Sequence, residues 1–376
     1  MNVRSQWFSI GQPFALANGQ TLPNVDLVYE TYGQLNAAKD NAILLFHALT
    51  GSHHAAGFNN RLPEAGDHWT EECHRGWWDG FVGPGKALDT SVSYIICVNY
   101  LGGCYGSTGP ASIPPGQTRP LGSHFPSVTL ADMVDSQVLL LDHLGIERLH
   151  AAVGASLGGL MCLSLATRYP ERVAQVIPIA AGLTVTPLQR LINFEQIVAI
   201  ESDPNFCAGD YYGGQPPRQG LALARIISHK TFVSVHDLED RARNSIVDTE
   251  DAFASYTVNH KLESYMMRQG SRFAARFDAN SYLRILEAWQ RFDLVGEAGC
   301  DSLEEALARC QGQRFLTFSI DSDVCFYPEE QEEMVAALKT AGLTSTRFTV
   351  HSEKGHDAFL LEAELFTPQL RYFLYP

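Results

Sequence analysis

The sequence predicts an α/β protein: a mostly parallel sheet flanked by helices, interrupted by an inserted helical lid. Three observations carry this. Strand-like apolar runs alternate with helix-like segments along most of the chain. A serine sits in a G-x-S-x-G string at a strand-to-helix junction. The alternation then stops between about 183 and 307, where the chain turns helical, loop-rich and charged with no convincing strand.

The strand-like runs are Ile43 to Ala48, Tyr94 to Val98, Leu149 to Val153, Val173 to Ala180, Phe315 to Ile320 and Thr346 to Val350. Between them, Leu130 to Leu144 reads as a helix opened by the capping-box variant Thr129-Leu130-Ala131-Asp132 and stopped at Gly145. Pro328 to Ala341 reads as another, ended by Gly342. The expected division is therefore 1–182 as the first part of the core, 183–307 as a helical lid over the carboxyl edge of the sheet, and 308–376 as the second part of the core.

Val153-Gly154-Ala155-Ser156-Leu157-Gly158-Gly159 joins the third of these strands to the small-residue-rich helix Leu157 to Thr167. A sharp turn from strand to helix leaves no room for side chains two positions either side of the serine and holds its hydroxyl out at the sheet edge. Ser156 is the candidate nucleophile. Such a serine needs a base, a carboxylate to orient the base, and donors for an oxyanion.

The acid comes from Asp321-Ser322-Asp323, past the strand at Phe315 to Ile320, and Asp323 is preferred because it lies farther into the loop, where its side chain can reach across the sheet edge. The base is His356 rather than His351, since Gly355 lets the backbone turn the ring back toward the site. The order Ser156, Asp323, His356 is that of the α/β-hydrolase fold. The expected oxyanion donors are the N–H of Leu157, after the nucleophile, and that of Leu49, in the loop His47-Ala48-Leu49-Thr50-Gly51 after an early strand. His47 is expected to hold that loop by hydrogen bonds.

Composition narrows the remaining classes. The 376 residues are 45% hydrophobic, enough for a sizeable core. No apolar run approaches the roughly 18 residues that span a bilayer, and the start lacks a signal-like apolar stretch, so a cytoplasmic protein free of the membrane is expected. Eight cysteines without a C-x-x-C pair suit free thiols in a reducing compartment. The net charge of −15 argues against nucleic acid and requires a local basic pocket for any anionic substrate. No Walker or dinucleotide fingerprint is present. The cluster Asp67, His68, Glu71, Glu72, Cys73 and His74 lacks zinc-ligand spacing and reads as a solvated loop, so no metal is expected.

Beyond these residues, the chain resembles the homoserine O-acyltransferase family nearly end to end. The resemblance is carried by His47 to Gly51, Gly76-Trp77-Trp78-Asp79, Gly83-Pro84-Gly85-Lys86-Ala87, Leu101 to Pro110, Gly154 to Gly159, Asp203-Pro204-Asn205-Phe206, Gly220 to Arg225, Phe277 to Leu283 and Gly355-His356-Asp357-Ala358-Phe359. It implies acyl transfer by a ping-pong route in methionine biosynthesis: acetyl-CoA acylates Ser156, and L-homoserine then takes the acetyl group to give O-acetylhomoserine. Transfer of a succinyl group to homoserine or serine is the alternative, and ester or thioester hydrolysis a further one. The family further implies Arg225 on the amino-acid carboxylate, Asp357 on its ammonium, an acyl-CoA co-substrate with no permanently bound cofactor, and a homodimer. Two departures concern the acceptor site and its neighbouring loop. Phe232 stands seven residues after Arg225, where the family often places tyrosine, and Gly51-Ser52-His53-His54 replaces the usual Gly-Asp-Ser-His.

Overall fold

The computed structural model describes residues 3–247 and 255–376. Its centre is an eight-stranded sheet: β1 (Gln6–Ser9), β2 (Asp26–Tyr32), β3 (Ala42–Phe46), β4 (Tyr94–Val98), β5 (Leu149–Ala155), β6 (Val173–Ile179), β7 (Arg314–Ile320) and β8 (Thr344–Val350). The spatial order is β1-β2-β4-β3-β5-β6-β7-β8. The pairs β1·β2 and β2·β4 are antiparallel and all the others parallel.

The two strands at the amino-terminal edge were not anticipated from the sequence. β1 is exposed along most of its length and so carries little apolar signal. β2 hides a carboxylate: Glu30 is fully buried in Asp-Leu-Val-Tyr-Glu-Thr-Tyr, where it accepts from Tyr32 Oη at 2.7 Å and Asn59 Nδ2 at 2.9 Å and pairs with His54 Nδ1 at 2.7 Å. Burial alone would raise its pKa, but His54, His53 and Tyr32 together hold the carboxyl below its ordinary value.

The central strands are apolar on both faces, as a covered parallel sheet requires. In β3, Ile43 and Leu45 join one hydrophobic cluster while Leu44 and Phe46 join the other. The cluster of Leu44 and Phe46 takes in helices α1 (Leu130–Leu144) and α2 (Leu157–Arg168); that of Ile43 and Leu45 includes Trp78, Phe81 and Phe366. Each fully buried Leu or Phe contributes about 1.5–3 kcal/mol. α1 starts as expected: Thr129 Oγ1 accepts from Asp132 N at 3.1 Å, and Asp132 Oδ2 accepts from Thr129 N at 2.8 Å.

After β6 the chain leaves the sheet and forms α3 (Pro187–Glu201), α4 (Arg218–Phe232), α5 (Val235–Ala242), α6 (Lys261–Arg276) and α7 (Ala279–Gln290) before re-entering at β7. The stretch Phe277 to Leu283 frames this insertion. Asp278 caps α7 by accepting from Ser281 N at 2.8 Å, and also takes the hydroxyls of Tyr211 at 2.6 Å and Tyr212 at 2.9 Å. Among the described residues, no helix is long and apolar enough to cross a membrane.

Candidate active site

Ser156 stands between the end of β5 and the start of α2 at φ 58°, ψ −124°. A non-glycine residue at positive φ costs about 1–3 kcal/mol, so the surroundings must hold it there. They do so by close backbone approach. A Cβ on Gly154 would lie 2.2 Å from the Gly158 carbonyl oxygen, and one on Gly158 would lie 2.3 Å from that of Phe46. The Ser156 N–H donates to Ile179 O at 2.9 Å, which fixes the turn to the neighbouring strand.

The candidate acid and base follow the carboxyl ends of β7 and β8, adjacent parallel strands in register through Ile320 and Val350. Two Asp–His pairs arise there. Asp321 Oδ2 meets His351 Nδ1 at 2.7 Å in the open, with the imidazole side chain 83% exposed. Asp323 Oδ2 meets His356 Nδ1 at 2.6 Å in the interior, with side-chain exposures of 0% and 3%. The second oxygen of Asp323 accepts the N–H groups of Cys325 at 2.8 Å and Phe326 at 3.0 Å, which locks its carboxylate plane. His356 lies against Phe326 and Phe359, and its Nε2 is buried without a hydrogen-bond partner. A serine-to-histidine hydrogen bond is therefore not formed in this state.

Gly355, at φ 68°, makes the inward turn of the histidine loop, and a Cβ there would sit 2.6 Å from the Ser234 nitrogen. The junction between α4 and α5 thus packs directly on this loop.

The Leu157 and Leu49 amides donate to no protein acceptor among the described residues. The Leu49 loop is braced from below: His47 Nδ1 bonds Ala48 O at 2.7 Å and its ring stacks on Tyr100. Burial pushes the His47 pKa down to about 3, so it is a neutral strut. The adjoining Ser52-His53-His54 segment is tied to β2, since His53 and His54 both face Glu30.

Arg225 of α4 lies with Cζ 5.3 Å from the Phe232 ring centroid and 5.4 Å from that of Phe273. Its guanidinium has no carboxylate within 4 Å among the described residues. Burial, and Arg276 beside it, hold its pKa below the ordinary value. The Phe232 ring in turn lies 6.0 Å from the His356 ring, so one aromatic wall spans from base to guanidinium. Asp357 Oδ2 accepts from Arg241 Nη1 of α5 at 3.2 Å, and burial raises its pKa against the opposing effect of Arg225, Arg241 and His356.

The model of the alpha/beta hydrolase fold family covers residues 41–363. The homoserine O-acetyltransferase of Deferribacter desulfuricans is 42% identical over 99% of this chain and 95% of its own length. The homoserine O-succinyltransferase of Alkalilimnicola ehrlichii is 43% identical over 96% of this chain and 92% of its own. The chain belongs to the homoserine O-acyltransferase family. Among solved structures, the homoserine O-acetyltransferase of Bacillus anthracis superposes with a TM-score of 0.88 at 28% identity, covering 100% of this chain and 98% of that one. Esterase E22 superposes with 0.87 at 27% identity, covering 99% and 100%.

For this homoserine O-acyltransferase family member, sequence reasoning missed three residues that border the site: Arg241, Phe273 and Arg276. Arg241 and Arg276 lie on helices of the insertion, 116 and 226 residues in sequence from their partners Asp357 and Thr50. No local spacing signals a pairing that long.

Proposed function

We propose that the protein is a CoA-dependent homoserine O-acyltransferase that moves an acetyl group from acetyl-CoA to L-homoserine through an acyl-Ser156 intermediate. The observation that carries this reading is the carboxylate-free guanidinium of Arg225, one phenyl ring away from His356 and within electrostatic reach of Asp357, the residue after His356 in the chain. A zwitterionic acceptor needs that opposite-charge pair, whereas a simple ester does not.

In the first half-reaction His356 Nε2 takes the Ser156 Oγ proton as Oγ adds to the thioester carbonyl. The Leu49 and Leu157 amides receive the oxyanion. Collapse breaks the C–S bond, and the proton leaves with CoA thiol. Homoserine then binds with its carboxylate on Arg225 and its ammonium on Asp357. Its hydroxyl loses a proton to His356 as it attacks the ester, and collapse returns that proton to Ser156 Oγ. Asp323 holds the imidazole with Nδ1 protonated and stabilises the imidazolium. Residues 183–307 act as a lid that limits access of water to the acyl-enzyme. Phe232 presents no hydroxyl to the acceptor, so acceptor choice rests on the two charges.

Two coarser features fit this reading. All eight cysteines are free, which suits a cytoplasmic setting. The family implies a homodimer, and the exposed apolar stripe Leu188, Leu191, Phe194 and Val198 on α3 offers a surface for one.

The test is intact-mass measurement after mixing with acetyl-CoA or succinyl-CoA, then a chase with homoserine or serine. An acetyl adduct that is absent in Ser156→Ala and discharged by homoserine is expected. A succinyl adduct alone would move the donor, as the 43% identical succinyltransferase makes a specific alternative. Loss of the adduct to water as fast as to homoserine would make the protein a hydrolase.

A further inference from the structure

We infer that Arg276 is a positioning residue through which the lid sets the oxyanion loop, so that its loss slows both half-reactions without weakening either substrate. The inference rests on the acyl-enzyme reading above.

Arg276 is the last residue of α6. Its Nη1 donates to the Thr50 carbonyl at 3.2 Å and to Tyr105 Oη at 3.2 Å, while the Tyr105 hydroxyl donates to the Arg276 carbonyl at 2.7 Å. The guanidinium lies 5.3 Å from the Phe273 ring centroid. Tyr105 is 1% exposed, so the anchor is rigid. Among the described residues no carboxylate lies within 4 Å of Arg276, and the nearby Glu72 is taken by Arg272. A partly buried cation with no counter-ion within reach is costly to keep, and here it is spent on one carbonyl next to a proposed oxyanion donor.

The loop itself shows why that carbonyl matters. From His47 to Thr50, three of the four carbonyls are held. Tyr100 Oη donates to His47 O at 2.5 Å; Gly51 N at 2.9 Å and His47 Nδ1 at 2.7 Å reach Ala48 O; Arg276 holds Thr50 O at 3.2 Å. The first is held from the core by Tyr100, the second from within the loop, and the third from the lid. It is the one hydrogen bond between residues 183–307 and 47–51 among the described residues. Thr50 O and Gly51 N–H belong to one planar peptide, and that N–H holds Ala48 O, which shares its own peptide plane with the Leu49 N–H, so Arg276 bears on the direction of the Leu49 N–H through this relay. Removing an oxyanion donor costs roughly 10²–10³ in rate, and a misplacement of about 1 Å roughly 10².

The experiment is single-turnover CoA release from acetyl-CoA, followed by discharge of the acyl-enzyme by homoserine. It compares wild type, Arg276→Met, which keeps length and the Phe273 contact, and Arg276→Lys, which keeps a donor. Arg276→Met is expected to slow acylation and discharge by a similar factor of about 10–100, with acetyl-CoA affinity and homoserine KM within about twofold of wild type. Arg276→Lys should recover part of both rates. Should Arg276→Met fail to fold, Tyr105→Phe removes one anchor without a cavity and should show the same paired slowing at smaller size. Unchanged rates, or an effect confined to homoserine KM or to acetyl-CoA affinity, would overturn the inference. A wild-type protein that never acquires the acyl mass would overturn the acyl-enzyme reading instead.

Discussion

Asp321–His351 and Asp323–His356 put the same two side chains at nearly the same separation, and only their surroundings differ. The outer pair is bathed in water, where an ion pair contributes roughly 0–1 kcal/mol. The inner pair is dry, its aspartate is locked by two backbone N–H groups, and the free Nε2 faces into the protein interior. Only that arrangement keeps a fixed tautomer with a lone pair available to a nucleophile. His356→Ala should therefore lower the acylation rate by about 10²–10⁴, while His351→Ala leaves it within about twofold. Single-turnover CoA release measures both, and the reverse ranking would move the base to the outer pair. At this scale the sequence was partly legible. Chain order and strand ends pointed to both pairs, and Gly355 tipped the choice, but burial, which separates the pairs, arises from Phe326, Phe359 and the lid and has no local signature. Arg241 beside Asp357 was illegible for the same reason.

The elements that hold these residues were read where hydrophobic pattern dominates and missed where it is masked. β3 and β4 are continuous apolar runs and declared themselves. β2 did not, because Glu30 interrupts its apolar run, and its acceptability depends on His54 and Asn59 from a later loop. The junction of α4 with α5 is a further case, since its partner is the histidine loop more than a hundred residues on. Gly355 meets it with no side chain: a Cβ would fall 2.6 Å from the Ser234 nitrogen and 3.0 Å from the Val233 carbonyl carbon, at a φ of 68° that disfavours L side chains. The nearest atoms are backbone, so they cannot rotate away. Gly355→Ala should then push the loop off the α4–α5 junction and carry His356 with it. The expected result is a loss of acylation rate of about 10² or more, with the Tm lowered and acetyl-CoA affinity little changed. A variant with wild-type rate would show that the α4–α5 junction yields more easily than its backbone contacts imply.

Over the whole molecule, acids outnumber bases by 42 to 27, yet the site gathers guanidiniums without carboxylates around Phe273. The fold holds some of its acids with a raised pKa. Glu297, at the end of the short helix Leu294–Glu297, is one. Burial pushes its carboxyl up to about 7, with Asp132 and Asp293 adding to the shift while Ser164 and Arg168 oppose it. Its Oε2 accepts from Ser164 Oγ of α2 at 3.1 Å, so the group joins the end of the insertion to the helix that begins after Ser156. An acid whose pKa is raised on folding holds a proton that the unfolded chain has shed. Its favourable contribution is complete below the unfolded value near 4.5 and is lost as pH rises toward about 7. Glu297→Gln, neutral at every pH and of the same shape, removes that loss. Urea unfolding should find the variant close to wild type at pH 5 and more stable by on the order of 1–3 kcal/mol at pH 8. Equal differences at the two pH values would mean that Glu297 folds as a carboxylate, kept charged by Arg168 against its burial.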